Sequence, residues 1–316
     1  MRGGLVAFPT ETVYGLGADA SNPTAVAKIF AAKGRPPDHP LIVHLATAEH
    51  IKDWAREIPP AAWLLAEKFW PGPLTLILRR AARVPDAVTG GQDSVGLRVP
   101  AHPLAHALLA AFGGGIAAPS ANRFGRVSPT SAQHVREELG ASVDLILDGG
   151  ACETGIESTI LDLSRGRPVL LRPGSISASA LEAVLGVRPQ PPDQTAPRVS
   201  GALAAHYAPH TPIQLLSRVA LLQALQATPP ARLAVLARSS APHGARLWLE
   251  WLALPDDAAG YAHGLYAALR SLDQLGCAAI LVEAPPTGEA WEGVADRLKR
   301  AAAGSNSAGD EAAEAT

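Results

Sequence analysis

Short apolar runs with the composition of β-strands alternate with runs of helical periodicity from Leu5 to about Val187. This alternation predicts an α/β domain, because helices between the strands can cover the faces of a sheet. Several neighbouring strand candidates are joined by loops alone, so the predicted sheet is mixed. The strand candidates are 5–8, 41–45, 74–78, 95–99, 116–118, 145–148, 158–162 and 169–171. The helix candidates are 24–32, 49–55, 61–69, 103–111, 130–139 and 178–185.

Three further parts follow this predicted domain of residues 1–187. Residues 188–212 are rich in proline and predict an extended, semi-rigid linker. This linker contains His206 and Tyr207, which a spacer does not need, so we expect it to cover a ligand site as a lid. Residues 213–303 predict a smaller α/β unit without the glycine fingerprint of a nucleotide site. Residues 304–316 are small and polar, which is typical of a disordered tail.

Composition excludes several classes of protein. A net charge of −2 over 316 residues gives no overall attraction to nucleic acid or to an anionic membrane. Any polyanion must therefore bind at a local cluster of cations. Cys152 and Cys277 are far apart and form no C-x-x-C pair, which argues against a disulfide framework or a zinc module. The sequence shows no signal peptide and no apolar stretch of about 18 residues, so we expect a soluble, cytoplasmic protein.

The first cluster of polar residues follows the first strand candidate. The run 5–8 ends at a proline, and two threonines, a tyrosine and two glycines follow within residues 10–17. Glycine lets the backbone approach a ligand closely, and a hydroxyl such as that of Thr10 can hold a carboxylate or an ammonium group. The pattern predicts a rigid edge that opens onto a polar ligand. A strand followed by a plain tight turn is the alternative.

Two cations lie close together after the first helix candidate. Lys33 and Arg35 flank a glycine and precede prolines that stiffen the predicted loop. The planar fork of arginine and the mobile charge of lysine suit an oligophosphate, although a solvated loop is the alternative. The strand candidate 41–45 follows and contains His44, which could be a site residue or a buried core histidine.

Neutral hydrogen-bonding groups follow the strand candidate 116–118. Ser120 and Asn122 lie on the same side of an extended segment, where they could contact phosphate oxygens or a ribose. The segment 128–131 then has the composition of a helix start. Three strands that each end in complementary polar groups predict one shared ligand site.

Taken together, these segments resemble the threonylcarbamoyl-AMP synthase (YrdC-type) family, in its long form with an extra C-terminal domain. The resemblance rests on the run 9–17, the Lys33-x-Arg35 pair and the Ser120-x-Asn122 pair. It continues in order through the runs 94–100, 155–160, 171–174 and 206–209, and covers the chain from Gly3 to about Ala303. It implies a YrdC-like twisted mixed sheet with flanking helices, plus a smaller Rossmann-like α/β domain.

The resemblance also implies the reaction. L-threonine, bicarbonate and ATP would give threonylcarbamoyl-AMP and pyrophosphate, which makes the chain a nucleotidyltransferase. The product would pass to a tRNA threonylcarbamoyltransferase, so direct tRNA binding is not required. Mg²⁺ would be held mainly through the ATP phosphates, with no metal site on the protein. Alignment and charge neutralisation matter most in such a step, and the sequence offers no convincing catalytic triad or carboxylate pair.

The resemblance implies a role for individual residues. Those expected to hold threonine are Thr10, His44, the Ala118 backbone and Ser158. Those expected around ATP are Lys33, Arg35, Pro37, Ser94, Arg98, Ser120, Asn122, Ser128, Arg172, His206 and Tyr207. Those expected to form the catalytic group are Lys33, Arg35, Ser120 and Asn122. A surface salt bridge is the alternative for Arg98 and for Arg172, and Glu11 and Glu157 are left without a role beyond binding nearby backbone amides.

The sequence departs from the family at its beginning. Relatives usually carry a helix before the first strand, so we expect either a start further upstream or a domain without that covering helix. His39 stands where many relatives have asparagine and others have histidine. Two other classes of protein are alternatives. A double-stranded RNA-binding protein of the same fold conflicts with the net charge of −2. Carbamoyl-transferring hydrogenase-maturation proteins carry cysteine-rich zinc modules, and this chain has 2 cysteines.

Overall fold

The computed structural model describes residues 3–226, 231–242 and 248–314, with side chains as far as Ser305. The chain forms two compact units. The first consists of Met1–Phe124 and Ser128–Ala202, and the second of Gly125–Val127 and Leu203–Thr316.

A mixed β-sheet forms the centre of the first unit. Its strands are β1 (Val6–Phe8), β2 (Gly15–Asp19), β3 (Ile42–His44), β4 (Leu74–Arg79), β5 (Ser94–Arg98), β6 (Ile116–Ala117), β7 (Leu145–Ile146), β8 (Thr159–Asp162) and β9 (Val169–Arg172). They are hydrogen-bonded in the order β7-β1-β2-β6-β3-β5-β4-β8-β9. The helices are α1 (Pro23–Lys33), α2 (Ile51–Trp54), α3 (Pro60–Phe69), α4 (Asp86–Thr89), α5 (Pro103–Phe112), α6 (Ala132–Leu139) and α7 (Ala178–Leu185).

Strand β2 lies in the segment for which the sequence predicted a rigid edge that opens onto a polar ligand. It pairs antiparallel with β1, with Val6 opposite Gly17. A Cβ at Gly17 would lie 2.8 Å from ring atom Cε1 of Phe8 and 2.8 Å from Cγ2 of Ile116. Glycine is therefore required here by close packing against neighbouring side chains.

The proline-rich segment does not form a separate linker. The N–H of Leu170 donates to the main-chain oxygen of Gln190 at 2.9 Å, so the segment pairs with the edge strand β9. Val199 packs on a buried cluster that includes Ile77 and Ile160. Residues 188–202 consequently belong to the first unit, and residues from Leu203 onward to the second. We call residues 188–202 the strap.

In the described residues, the second unit holds a four-stranded parallel sheet. Its strands are hydrogen-bonded in the order β10-β13-β11-β12. Those strands are β10 (Ile213–Leu216), β11 (Leu233–Ala237), β12 (Leu249–Ala253) and β13 (Ala279–Glu283). Its helices are α8 (Arg218–Ala224), α9 (Ala258–Asp273) and α10 (Glu292–Glu314). The parallel sheet and its helices confirm the smaller α/β unit that the sequence predicted for this part of the chain.

The predicted disordered tail begins inside α10. Ser305 is buried, and its hydroxyl accepts a hydrogen bond from the N–H of Ile213 at 2.9 Å. The boundary at residue 303 is thus wrong, because a polar side chain there binds the first strand of the unit. The other residues of that prediction, 306–316, lie outside those whose side chains are described. None of the helices in the described ranges combines the length and apolarity needed to cross a membrane.

Candidate active site

The two short motifs that were expected to work together lie together in the first unit. The Nζ of Lys33 donates to the main-chain oxygens of Ser120, at 2.5 Å, and of Asn122. The N–H of Phe124 donates in return to the main-chain oxygen of Lys33 at 2.8 Å. The guanidinium of Arg35 lies 6.0 Å from the centre of the Phe124 ring. The Lys33-x-Arg35 and Ser120-x-Asn122 pairs therefore form one cluster.

The sequence context of Lys33 suggested a loop, but Lys33 lies in a helix. It is the last residue of α1, which ends because Gly34 adopts the left-handed conformation with φ 61°. Its side chain is only 3% exposed. Burial lowers its pKa well below the ordinary value, and the charge of Arg35 lowers that pKa further.

This environment suits Lys33 to bind an anion. No carboxylate in the described part of the chain forms an ion pair with it. An ammonium carries three N–H donors, and main-chain oxygens use two of them. A buried cation next to a second cation is stabilised when a ligand brings negative charge, as a triphosphate does.

The hydroxyl of Thr10 is fixed by the turn after β1. It donates to the main-chain oxygen of Val13 at 2.7 Å and accepts from the N–H of Thr12 at 3.2 Å. The two threonine hydroxyls are 2.8 Å apart. Thr10 is 2% exposed, so this edge presents a buried pair of hydroxyls.

Arg98 holds this edge from the end of β5. Its Nε donates to the main-chain oxygen of Gly72 at 3.1 Å, and its Nη1 donates to the hydroxyl of Thr12 at 2.8 Å. Its Nη2 lies 2.7 Å from Oε1 of Glu11, and both side chains are nearly fully buried. The other oxygen of Glu11 accepts from the N–H of Ala101 at 3.0 Å. The surface alternative for Arg98 is wrong, because Nε and Nη1 hydrogen-bond to buried protein groups and Nη2 forms a buried ion pair that lacks hydrogen-bond geometry.

His44 ends β3 beside Arg98 in the sheet register. Its ring meets the Phe8 ring edge-on, with centres 5.9 Å apart. Burial and the positive charge of Arg98 lower its pKa to about 3, so the imidazole is neutral near pH 7. Within the described residues, its Nδ1 has no hydrogen-bond partner. Backbone groups of Ile42 and Ile116 oppose the lowering of the pKa, and the choice between a site residue and a core histidine stays a prediction.

Ser158 is connected to Arg35 through Arg172 and the strap. Its hydroxyl lies 2.8 Å from that of Thr75 and accepts from Nη2 of Arg172 at 3.1 Å. Nη1 of Arg172 donates to the main-chain oxygen of Ser200 at 2.7 Å. The hydroxyl of Ser200 accepts from Nη2 of Arg35 at 3.2 Å. The surface alternative is wrong for Arg172 as well, since it is 2% exposed.

The remaining expected residues of the first unit differ in their surroundings. Ser128 is buried and donates to Oε1 of Glu157 at 2.5 Å. Ser94 is buried and lines a small cavity together with strap residues. Pro37 is exposed. The N–H of Ala118 donates to the main-chain oxygen of Ile42 at 2.9 Å, so only the carbonyl of Ala118 is left to hold a substrate.

His206 and Tyr207 belong to the second unit. The Tyr207 ring stacks on that of Tyr266, with centres 5.8 Å apart, and the Arg297 guanidinium lies 5.4 Å from its centre. Tyr207 has φ 61°, which is uncommon for a bulky residue, and such backbone is kept only where its surroundings fix it. The role of this pair toward ATP stays a prediction.

Sequence reasoning missed three residues of this cluster. Thr12 stands two positions after Thr10, and that spacing was the available signal. Ser200 precedes a glycine in the proline-rich segment. That pair is unusual for a spacer, but it gave no indication of a contact with Arg35. Thr75 lies inside an apolar strand and carried no signal, because its partner Ser158 is brought to it only by the pairing of β4 with β8.

Known proteins share both units. Residues 1–174 match the family model described as telomere recombination, and residues 176–303 match that of the threonylcarbamoyl-AMP synthase C-terminal domain. The threonylcarbamoyl-AMP synthase of Pyrococcus abyssi is 40% identical over 313 residues, which span 95% of this chain and 91% of that protein. This chain belongs to the threonylcarbamoyl-AMP synthase family. The Bacillus subtilis synthase is 42% identical over 322 residues, spanning 95% of this chain and 90% of its own.

The fold of a solved family structure agrees with that of this chain. The crystal structure of P. abyssi Sua5 complexed with L-threonine has a TM-score of 0.88 at 39% identity, and the match covers 96% of this chain and 92% of that one. Threonylcarbamoyl-AMP synthase activity, the transferase class and the role in tRNA modification are thereby confirmed, as is the predicted fold class. The double-stranded RNA-binding alternative is not supported.

Proposed function

We propose that the first unit binds L-threonine and ATP next to each other and joins them through bicarbonate. The observation that carries this proposal is the continuous set of contacts from Ser158 through Arg172 and Ser200 to Arg35. It connects the residues expected to hold threonine with the cations expected to hold phosphates. A site that binds both substrates turns a reaction between separate molecules into one between aligned neighbours.

In this proposal the chemistry proceeds in two steps. The ammonium group of threonine first loses a proton to solvent, the free amine attacks the carbon of bicarbonate, and loss of water gives an N-carboxylate. An oxygen of that carboxylate then attacks the α-phosphorus of ATP, the bond to the β-phosphate oxygen breaks, and pyrophosphate leaves. Both steps bring negative charges together, so buried cations contribute more than a strong base would.

We assign threonine to the edge formed by Thr10, His44, Ser158 and the Ala118 carbonyl. The neutral His44 ring can accept a hydrogen bond at Nδ1 from the threonine hydroxyl or ammonium group. Charge on this ring would repel the ammonium, so its low pKa suits the role. Ser158 supplies a hydroxyl that is already oriented by Arg172.

We assign the phosphates to Lys33 and Arg35, with Ser120 and Asn122 as neutral donors beside them. Ser94 and Ser128 stay proposed contacts to the rest of the nucleotide, as do Pro37, Arg172, His206 and Tyr207. For Arg98 we propose a different role, which is to hold Thr12 and through it Thr10. Its nitrogens are occupied by Gly72, Thr12 and Glu11, so a direct contact with ATP would break a buried ion pair.

Three further expectations accompany the reaction. Mg²⁺ is proposed to enter with ATP and to neutralise phosphate charge, since the described residues contain no group of three or more His, Cys, Asp or Glu that could hold an ion. The product is proposed to pass to a tRNA threonylcarbamoyltransferase. A cytoplasmic location stays a proposal.

Amino-acid selectivity tests the threonine assignment. Serine lacks only the methyl group, and one methylene-sized difference in a pocket is worth about 10–200-fold in kcat/KM. Valine lacks the hydroxyl that the buried polar groups would bind, and we expect a loss larger than that for serine. Pyrophosphate release should therefore follow the order threonine, serine, valine, after subtraction of release without amino acid. Equal rates with valine and threonine would overturn the assignment.

A further inference from the structure

Ser200 is the point at which the strap meets two buried arginines. Its hydroxyl accepts from Nη2 of Arg35 at 3.2 Å and donates to the main-chain oxygen of Pro40 at 2.9 Å. Its carbonyl accepts from Nη1 of Arg172 at 2.7 Å. One residue thus binds two cations that are far apart in the sequence.

Next to Ser200, the side chain of Gln92 hydrogen-bonds to the main chain of the strap in the way that a neighbouring strand would. Oε1 of Gln92 accepts from the N–H of Arg198 at 2.7 Å, and Nε2 of Gln92 donates to the carbonyl of Arg198 at 3.1 Å. The Arg198 guanidinium pairs with Asp38 at 2.9 Å and donates to the carbonyl of Gly90 at 3.1 Å. These bonds fix the strap two residues before Ser200 and tie it to the loop that follows Arg35.

We propose that Ser200 is a positioning residue that holds Arg35 in the orientation needed to bind the ATP phosphates. The proposal rests on the proposed function, in which Arg35 contacts ATP. An arginine side chain has many rotamers, and fixing one of them before the ligand arrives lowers the entropy that binding must offset. The Nη2 of Arg35 donates to the Pro40 carbonyl at 3.0 Å and to the Ser200 hydroxyl at 3.2 Å, and these two acceptors are hydrogen-bonded to each other, which restricts the guanidinium in this way.

The test is a set of full-length variants assayed by threonine-dependent pyrophosphate release. Ser200→Ala removes the hydroxyl and keeps the carbonyl, and we expect the KM for ATP to rise about tenfold while the KM for threonine stays unchanged. Ser200→Thr keeps a hydroxyl and should restore the KM for ATP. Thr195→Val is the matched control, because this strap hydroxyl contacts Arg165 and Asp193 instead and should leave both KM values unchanged.

A double-variant cycle shows whether the hydroxyl acts through Arg35. In an Arg35→Met background, Ser200→Ala should change the KM for ATP by less than about twofold, because the partner is gone. The same tenfold rise in both backgrounds would overturn the proposal, as would a wild-type KM in Ser200→Ala. If Arg35→Met alone leaves the KM for ATP unchanged, the assignment of Arg35 to ATP is what fails.

A second variant and a folding measurement distinguish the expected rise in the KM for ATP from a loss of folding. Gln92→Leu removes the two hydrogen bonds to the main chain of Arg198 and leaves Arg35 and Arg172 unchanged. It should raise the KM for ATP, as Ser200→Ala does. Far-UV circular dichroism of each variant shows whether the fold is kept. A folded Gln92→Leu with wild-type kinetics would contradict the idea that the strap places Ser200.

Discussion

Replacing Lys33 with methionine is expected to lower threonine-dependent pyrophosphate release by about 100-fold. A charge-assisted contact is worth about 1.5–3 kcal/mol, and donors directed at developing charge are worth about 10²–10³ in kcat. Methionine fills similar space, and removal of a buried cation with a lowered pKa offsets the loss of its two bonds to main-chain oxygens, so the fold should be kept. The loss is therefore expected in catalysis and not in folding.

The control for this variant lies in the same helix. Lys28→Met removes an exposed lysine that reaches only the main-chain oxygen of Gly3, and it should leave the rate unchanged. The two variants change net charge equally, so a general charge effect would appear in both. A Lys33→Met protein as active as Lys28→Met would show that the buried ammonium takes no part in the reaction.

Replacing Arg98 with methionine is expected to lower the free energy of unfolding by about 3–5 kcal/mol. This change leaves the Glu11 carboxylate buried without its ion-pair partner and removes a bond to Thr12. The double variant Glu11→Gln with Arg98→Met should recover part of that loss, because no uncompensated charge then stays buried. Urea unfolding of the full chain, followed by circular dichroism, measures both values.

An exposed ion pair provides the comparison. Arg56 pairs with Asp93 at 2.7 Å, and both side chains are well exposed to water. Arg56→Met should therefore cost less than about 1 kcal/mol. A loss for Arg98→Met no larger than that for Arg56→Met would contradict the supporting role given to the buried pair.

The sequence was sufficient to predict most strands of the first unit, because their apolar runs are continuous and bounded by proline or glycine. It failed at β2, which was not among the strand candidates, because glycine is not typical of strands and the lack of a side chain at Gly17 serves close packing against Phe8. It also failed in the proline-rich segment. That segment is held to the first unit by hydrogen bonds between backbone atoms of Gln190 and the strand β9 region. A pattern of side chains does not predict such bonds.

The candidate site was predictable in its residue types and less so in its connections. Lys33 was expected near Ser120 because both belong to short motifs beside strands, and their contact agrees with that expectation. Arg98 was expected to reach a ligand, but its neighbours in space are Glu11 and Thr12, which the register of the sheet selects. Partners separated by many residues become visible only when the strand order is known.

We expect one site to join threonine, bicarbonate and ATP. Incubating the purified full-length protein with all three, and with each one left out in turn, tests it most directly when pyrophosphate and the nucleotide product are both followed. The prediction is that pyrophosphate appears only in the complete mixture, together with an equal amount of a nucleotide with the mass of threonylcarbamoyl-AMP. Pyrophosphate release that does not depend on threonine or bicarbonate, or that leaves only AMP without the adenylate at early times, would contradict the claim.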